Sequence, residues 1–326
     1  MAVYTHPHPT ELRKFLQEYT IGNLVSSNPI IDGIENSNFL IQTSTGTFVL
    51  TLYEERTDEH DLPFFIGLLN HAVLNKLSCP RPIPRNDGKP YGKLSGRPAH
   101  IFSYINGSSL NDVSDKHCAE VGYALALMHQ KMKNFTSYRK NMLSLPYWKV
   151  LWKQCLLHDL DKDLKKEIVS ELHFLEENWP KNLPTGIIHA DLFPDNVLFH
   201  NDHIVGLIDF YFSCHDFLIY DFSICINAWC FDQNNTYNLS KGNSIFNGYN
   251  AIRTISENEL QFLPILLRGA SLRFFLTRLY DSYNIPLSPF AIKKDPMEYL
   301  YKLRFHKQIS SISQYGFDDE TSLRIC

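Results

Sequence analysis

Apolar residues alternate with polar ones early in the chain and recur at helical spacing later. Phe39 to Thr43 alternates as a strand does, and Thr47 to Tyr53 is a run of β-branched and aromatic residues. With Ser44-Thr45-Gly46 between them, the two stretches predict a β-hairpin. A further strand is expected from Pro98 to Tyr104, after a turn over 91–96. Two helices accompany these strands. Thr10 is the expected N-cap of a short amphipathic one. Asp61-Leu62-Pro63 opens the second, which carries Leu62, Phe65, Ile66, Leu69, Val73 and Leu77 on one face, with Pro63 in its first turn. Asn106-Gly107 breaks the pattern, and the period then becomes helical. Helices are expected from Asp115, where Cys118, Val121, Leu125, Met128 and His129 form one stripe, and over 146–158, 163–178, 222–229, 243–255, 257–267, 268–282 and 296–312. His129 has no evident partner on that stripe and reads as a packing histidine. The expected fold is α+β. A small N-terminal antiparallel-sheet lobe (1–105) precedes a larger, mainly helical C-terminal lobe (106–326), with a hinge at 103–107.

Composition narrows the function classes. The chain has 326 residues, a formal net charge of -4 and 44% hydrophobic residues, ordinary for one large or two smaller globular domains. Its slight acidity and the lack of a long basic run argue against a nucleic-acid partner. No apolar run approaches membrane-span length, and the opening Met1-Ala2-Val3-Tyr4-Thr5-His6 lacks a signal-peptide pattern. The seven cysteines are odd in number and none is spaced Cys-x-x-Cys, which favours core thiols in a reducing compartment over disulfides or zinc. A cytoplasmic protein is expected, of unspecified oligomeric state.

The chemistry concentrates in one stretch. The apolar run Gly186-Ile187-Ile188 leads into His189-Ala190-Asp191-Leu192-Phe193-Pro194-Asp195-Asn196, and a second run ends at Ile208-Asp209-Phe210. Phosphoryl transfer needs a carboxylate to orient the attacking hydroxyl and accept its proton, and an amide oxygen and a second carboxylate to hold magnesium on the phosphates. Asp191 fits the first role, and Asn196 and Asp209 the second. The bland alternative is a surface loop with Asp191 and Asn196 as caps. The stretch resembles the catalytic and magnesium loops of the aminoglycoside phosphotransferase and choline kinase superfamily, small-molecule relatives of protein kinases. That resemblance implies a protein-kinase-like two-lobe fold using ATP and Mg2+, with His189 buttressing the loop and Asp221 anchoring its backbone. The turn 33–38 would then cover the phosphates with backbone N–H groups and short polar side chains, through Asn36, Ser37 and Asn38. Ser103 and Ile105 would offer main-chain hydrogen bonds to adenine, making 1–105 the nucleotide-binding lobe.

Stretches outside these loops narrow the resemblance. Residues 33–39, 48–54, 62–65, 226–231 and 268–281 look like bacterial homoserine kinases of the phosphotransferase-fold type, over about residues 1–310. The likeness implies a small-molecule substrate, L-homoserine, in threonine biosynthesis, with no nucleic-acid or membrane partner. One departure stands out. Thr51 occupies the place of the usual phosphate-binding lysine, and the helix from Leu62 has no acid to pair with one; Arg56 is a candidate replacement. The substrate carboxylate calls for a guanidinium. Arg268, Arg273 and Arg278 fan around one apolar helix, with Arg273 favoured and Arg268 second. Asp195 or Asp32 could meet the ammonium. Three alternatives remain open: an aminoglycoside or amino-sugar kinase, a choline kinase with Tyr220, Trp229 and Phe231 as an aromatic cage, and a pseudokinase that binds nucleotide without turnover.

Overall fold

The computed structural model describes residues 4–30, 36–54, 57–284 and 294–317. Asp32, Arg56 and the first half of the turn 33–38 lie outside the described residues. The chain opens with α1 (Pro9–Leu16), capped by the His8 ring and not by Thr10, because Pro9 already occupies the first turn. Five antiparallel strands follow in the sheet: β1 (Leu24–Ile30), β2 (Ser37–Thr43), β3 (Gly46–Leu52), β4 (Gly92–Leu94) and β5 (Arg97–Ser103), in spatial order β1-β2-β3-β5-β4. The predicted hairpin is β2–β3, with Phe39 opposite Leu50 and Ile41 opposite Phe48. Phe39, Ile41, Leu50, Leu52, Ala99 and Ile101 pack with Leu12, Phe15 and Leu16 of α1 into a small core. The edge strand β1 was not foreseen: Leu-Val-Ser-Ser-Asn-Pro-Ile has no apolar alternation, and its Pro29 is tolerated because an edge need not donate on both sides.

Helix α2 (Leu62–Leu74) precedes residue 105, yet Leu62, Phe64, Phe65, Leu68, Leu69 and Ala72 belong to the large core. That core is built by α3 (Asp115–Lys131), α4 (Leu145–Cys155), α5 (Lys162–Asn178), α6 (Leu218–Trp229), α7 (Leu239–Asn250), α8 (Glu257–Asn284) and α9 (Pro296–Gln308). Helices α3 and α7 meet backbone to backbone. A Cβ on Gly122 would stand 2.1 Å from the Ile245 carbonyl oxygen, and one on Gly248 the same distance from that of Ala119. The helices expected over 257–267 and 268–282 are one helix, α8. Its stretch from Gly269 to Leu276 is buried throughout, and tertiary burial carries it past Pro264.

Two short pairs of strands sit among these helices. β6 (Thr185–Ile188) pairs with β9 (Cys214–Phe217), and β7 (Val197–His200) with β8 (His203–Leu207). Ser108, just past the expected hinge, exchanges backbone hydrogen bonds with Phe199 of β7. The six described cysteines are buried and free. Among the described residues no helix is long and apolar enough to cross a membrane.

Candidate active site

Strand β6 ends at Ile188 and hands the chain to His189-Ala190-Asp191, then to a single 3-10 turn over Pro194–Asn196 that enters β7. The Asp191 carbonyl accepts from Phe193 N at 2.9 Å and from Asn196 Nδ2 at 2.8 Å. The same Nδ2 reaches Asp191 Oδ2 at 3.2 Å. With its nitrogen committed inward, the Asn196 amide directs Oδ1 away from Asp191. The Asn196 carbonyl accepts from Ile208 N at 3.0 Å, which brings Asp209 alongside. Asp209 lies in the left-handed region, at φ 62° and ψ 62°, a conformation aspartate tolerates better than most. Asp191, Asn196 and Asp209 are thereby gathered. An amide oxygen and a carboxylate are the hard donors a divalent cation such as Mg2+ takes, so the residues fit the metal expected there.

Ala190 is also left-handed, at φ 65°, which costs an alanine about 1–2 kcal/mol. Both ends of the residue are held. Its N–H donates to Asp221 Oδ1 at 2.8 Å, and its carbonyl accepts from Arg273 Nη1 at 2.8 Å. Asp221 Oδ2 takes His189 N at 2.7 Å and His129 Nε2 at 3.1 Å. His129 Nδ1 meets the Tyr249 hydroxyl at 2.7 Å, which in turn accepts from Arg253, itself paired with Glu259. His129 is thus a buried histidine with both ring nitrogens satisfied. Its partners lie 92 and 120 residues away in sequence, beyond any local pattern. Burial works to raise the Asp221 pKa, but the bonds and charge from His129 and the loop amides hold it below the ordinary range. Burial lowers the His189 pKa, so its ring is neutral and Nε2–H donates to the Ile208 carbonyl at 3.0 Å.

The nucleotide side departs from expectation. Asn36 is 3% exposed, and its Oδ1 accepts from Glu54 N and the Thr57 hydroxyl. Ser37 is fully buried; its hydroxyl donates to Glu54 Oε1 at 2.6 Å and accepts from Tyr4 N and Thr5 N. Both side chains brace the sheet, and strand alternation turns position 37 inward with Phe39. Asn38 faces the other way and accepts from the Thr51 hydroxyl at 2.7 Å. The slot beside Thr51 is aromatic: Tyr211, two residues past Asp209, packs on Tyr53 and Phe65. At the expected hinge, Ser103 N donates to the Arg81 carbonyl and the Ile105 carbonyl accepts from Gly107 N, so those two groups are already engaged.

The substrate candidates separate as well. Arg268 is given wholly to Glu171, through Nε and Nη2 at 2.7 Å each, and stacks on Phe174; its planar fork already holds a carboxylate of the chain. Arg273, the expected anchor, is 2% exposed; its Nη1 braces the loop through the Ala190 carbonyl, and its Nε is buried without a hydrogen-bond partner among the described residues. Asp195 is exposed and pairs with Lys294 at 3.0 Å. The three aromatics of the supposed cage diverge. Tyr220 lines a cavity of about 250 Å³ with Trp148 and Trp179, Trp229 donates to the Leu192 carbonyl, and Phe231 packs on Tyr237 and Phe305.

Known proteins share this architecture. A family profile described as the phosphotransferase enzyme family matches residues 27–254. A homoserine kinase of Sinorhizobium medicae is 51% identical over 98% of this chain and 99% of its own length, and one of Agrobacterium fabrum is 51% identical over 98% and 100%. Among solved structures, an amicoumacin kinase in complex with AMP-PNP, Ca2+ and Ami superposes with a TM-score of 0.72 at 16% identity, covering 97% of both chains. A microcompartment-associated aminopropanol kinase gives 0.68 at 17%, covering 95% of this chain and 99% of its own. The chain belongs to the phosphotransferase enzyme family, and its fold is the protein-kinase-like one of that family.

Proposed function

We propose that the chain transfers the γ-phosphoryl group of ATP to the side-chain hydroxyl of L-homoserine, giving O-phospho-L-homoserine in threonine biosynthesis. The observation that carries a kinase reading is the joining of Asp191, Asn196 and Asp209 by the Asn196 amide and the Ile208–Asn196 backbone bond. The substrate rests on the homoserine kinases that are half identical over nearly the whole length. Asp191 orients the attacking hydroxyl and takes its proton as the new O–P bond forms. Asn196 and Asp209 hold the divalent cation, Mg2+ in this reading. ATP with that ion supplies the phosphoryl group and offsets its charge. The His129–Asp221 chain and Arg273 keep the loop in its left-handed turn so that Asp191 does not have to be ordered during the reaction. A soluble amino acid and ATP as substrates support a cytoplasmic location for this reading.

ADP release by the purified protein across L-homoserine, choline, an aminoglycoside and an amino sugar tests this. Homoserine should win by about 100-fold or more in kcat/KM, the scale for a site built around a charged end group. Preference for another alcohol would replace the substrate. ATP binding with no turnover on any of them would leave a pseudokinase.

A further inference from the structure

If L-homoserine is the substrate, its carboxylate needs donors that the 189–196 loop lacks. Asp191 is itself an acid, and the Asn196 amide nitrogen is bonded to it. Arg268 is committed to Glu171 through Nε and Nη2, and the nearly buried Arg273 holds the Ala190 carbonyl through Nη1, its Nε buried without a hydrogen-bond partner among the described residues. Among the same residues, Arg278 is paired with Glu298 and the Asp295 carbonyl through Nη1 alone. It stands four residues past Phe274, on the same face of α8. Phe274 packs on Phe193 with ring centroids 4.9 Å apart and on Tyr299 of α9 at 5.1 Å, and Tyr299 reaches Phe193 at 6.3 Å. Phe193 follows Asp191 by two residues, so this face of α8 and Tyr299 look onto the catalytic loop.

The Arg278 guanidinium lies 4.5 Å from the Tyr299 ring centroid, and Lys302 Nζ lies 4.4 Å from it. Arg278 Nη1 donates to Glu298 Oε2 at 2.6 Å and to the Asp295 carbonyl at 3.1 Å. Lys302 Nζ donates to Glu298 Oε1 at 2.5 Å and to the Asn227 carbonyl at 2.8 Å. Two cations thus share one carboxylate, and the cluster has a positive charge to spare. The Lys302 side chain is 4% exposed, whereas that of Arg278 is 10% exposed beside a Glu298 that is 37% exposed. Among the described residues the hydrogen bonds of Arg278 all run from Nη1, leaving Nε and Nη2, the parallel pair a carboxylate accepts. The Tyr299 hydroxyl is fully buried with no partner among the described residues. Such an orphaned donor is costly in a finished core and suits a site that a ligand completes. Burial, opposed by the charges of Arg278 and Arg273 and aided by those of Glu298 and Asp191, holds this phenol well above its ordinary pKa, so it is a neutral donor.

The geometry points to Arg278 and the Tyr299 hydroxyl as the clamp for the substrate α-carboxylate, with Glu298 as the positioning residue that sets the guanidinium. The far end of a four-carbon amino acid held there faces Asp191.

A cycle between enzyme and substrate tests the clamp. The amino alcohol left when the homoserine carboxyl is replaced by hydrogen is assayed beside homoserine, in wild type, Arg278→Gln, Tyr299→Phe and Glu298→Gln. Wild type should prefer homoserine by about 100-fold, the scale of a desolvated charged contact. Arg278→Gln should lose most of that preference through homoserine alone, with the amino alcohol and the KM for ATP within about threefold. Tyr299→Phe removes one unpartnered oxygen, so it keeps the fold and should lose about tenfold on homoserine only. Glu298→Gln should raise the KM for homoserine and leave kcat in place. A full wild-type preference in both Arg278→Gln and Tyr299→Phe would overturn the clamp. A wild type that ignores homoserine but phosphorylates another alcohol would instead overturn the substrate, and the clamp with it.

Discussion

The catalytic loop and the turn that opens β2 look alike in sequence, each a cluster of short polar side chains beside an apolar strand. The structure uses them in opposite senses. In the loop, Asn196 and the carbonyls and amides around Asp191 fix outward chemistry, while a buried chain through Asp221, His129 and Tyr249 holds the backbone from behind. In the turn, Asn36 and Ser37 face inward to Glu54 and serve the sheet. Phosphates can be met by backbone N–H groups, which any residue supplies, whereas proton transfer and metal binding need particular side chains at fixed positions. The comparison is therefore open to attack from both ends.

The largest effects belong to the loop. Asp191→Asn should cut kcat by about 10³-fold or more, the upper range for losing a general base together with its orienting role, while the Kd for ATP stays within a fewfold. Single-turnover kinetics with nucleotide titration measure both. Wild-type turnover in this variant would remove Asp191 as the base. Asp209→Ala should eliminate activity or shift the magnesium dependence by about tenfold or more; an unaltered magnesium titration would take Asp209 out of the metal site.

Next comes the support behind the loop. Asp221→Asn places an amide where a buried carboxylate accepts from His189 N, Ala190 N and His129, so at least one donor faces another donor. Removing the charge from such a network should cost about 3–4 kcal/mol in denaturant unfolding and lower kcat as Ala190 leaves its left-handed turn. A variant as stable as wild type, with full kcat, would show that the loop holds itself.

Acid should weaken the protein in the same region. Burial lowers the pKa of His189, and burial with nearby cations takes His306 down to about 3. Both stay neutral in the folded state while the unfolded chain protonates near pH 6.5. The unfolded state then binds more protons, so stability falls as pH drops below that value, by about 1 kcal/mol for His306 at pH 5.5 and in the same direction for His189. His100, on β5 of the small sheet, is lowered to about 4 by burial and adds a similar loss there. Asp221 is depressed below its unfolded value, so its own contribution is lost only at more acid pH. Urea unfolding at pH 7.0 and 5.5 reads this, and equal stability at the two would mean that the histidines are not held neutral.

What the sequence revealed follows the same division. Asp191, Asn196 and Asp209 lie in one short contiguous stretch with apolar flanks, so their offsets were legible, as was the β2–β3 hairpin from its alternation. Asp221 as the anchor of the loop backbone came only through the family resemblance, and its link to His129 and Tyr249 was not legible, because the three come from three helices and meet only in the tertiary fold. The α8 arginines were legible as a set but not by role, since direction around a helix decides which meets Glu171, which meets Ala190 and which faces Tyr299. The edge strand β1 gave no pattern because neither of its faces is fully buried.

The smallest effect sharpens the comparison from the other end. Asn36 Oδ1 accepts from Glu54 N at 3.2 Å and from the Thr57 hydroxyl at 3.1 Å, in a site 3% exposed. Asn36→Ala deletes that acceptor and leaves the Glu54 N–H, at the end of β3, without its partner. The loss should be about 1 kcal/mol, at the modest end because both bonds are long and Thr57 can turn to water. A side chain turned away from the nucleotide should leave the KM for ATP within about twofold of wild type. The same substitution in the loop, Asn196→Ala, should cost a similar amount of stability, because its Nδ2 donates to Asp191 at 2.8 and 3.2 Å, and should in addition lower turnover and metal affinity. Urea unfolding and ATP titration on the two variants together decide the matter. A tenfold rise in KM for ATP in Asn36→Ala, with unchanged stability, would place that side chain on the phosphates and erase the contrast between turn and loop.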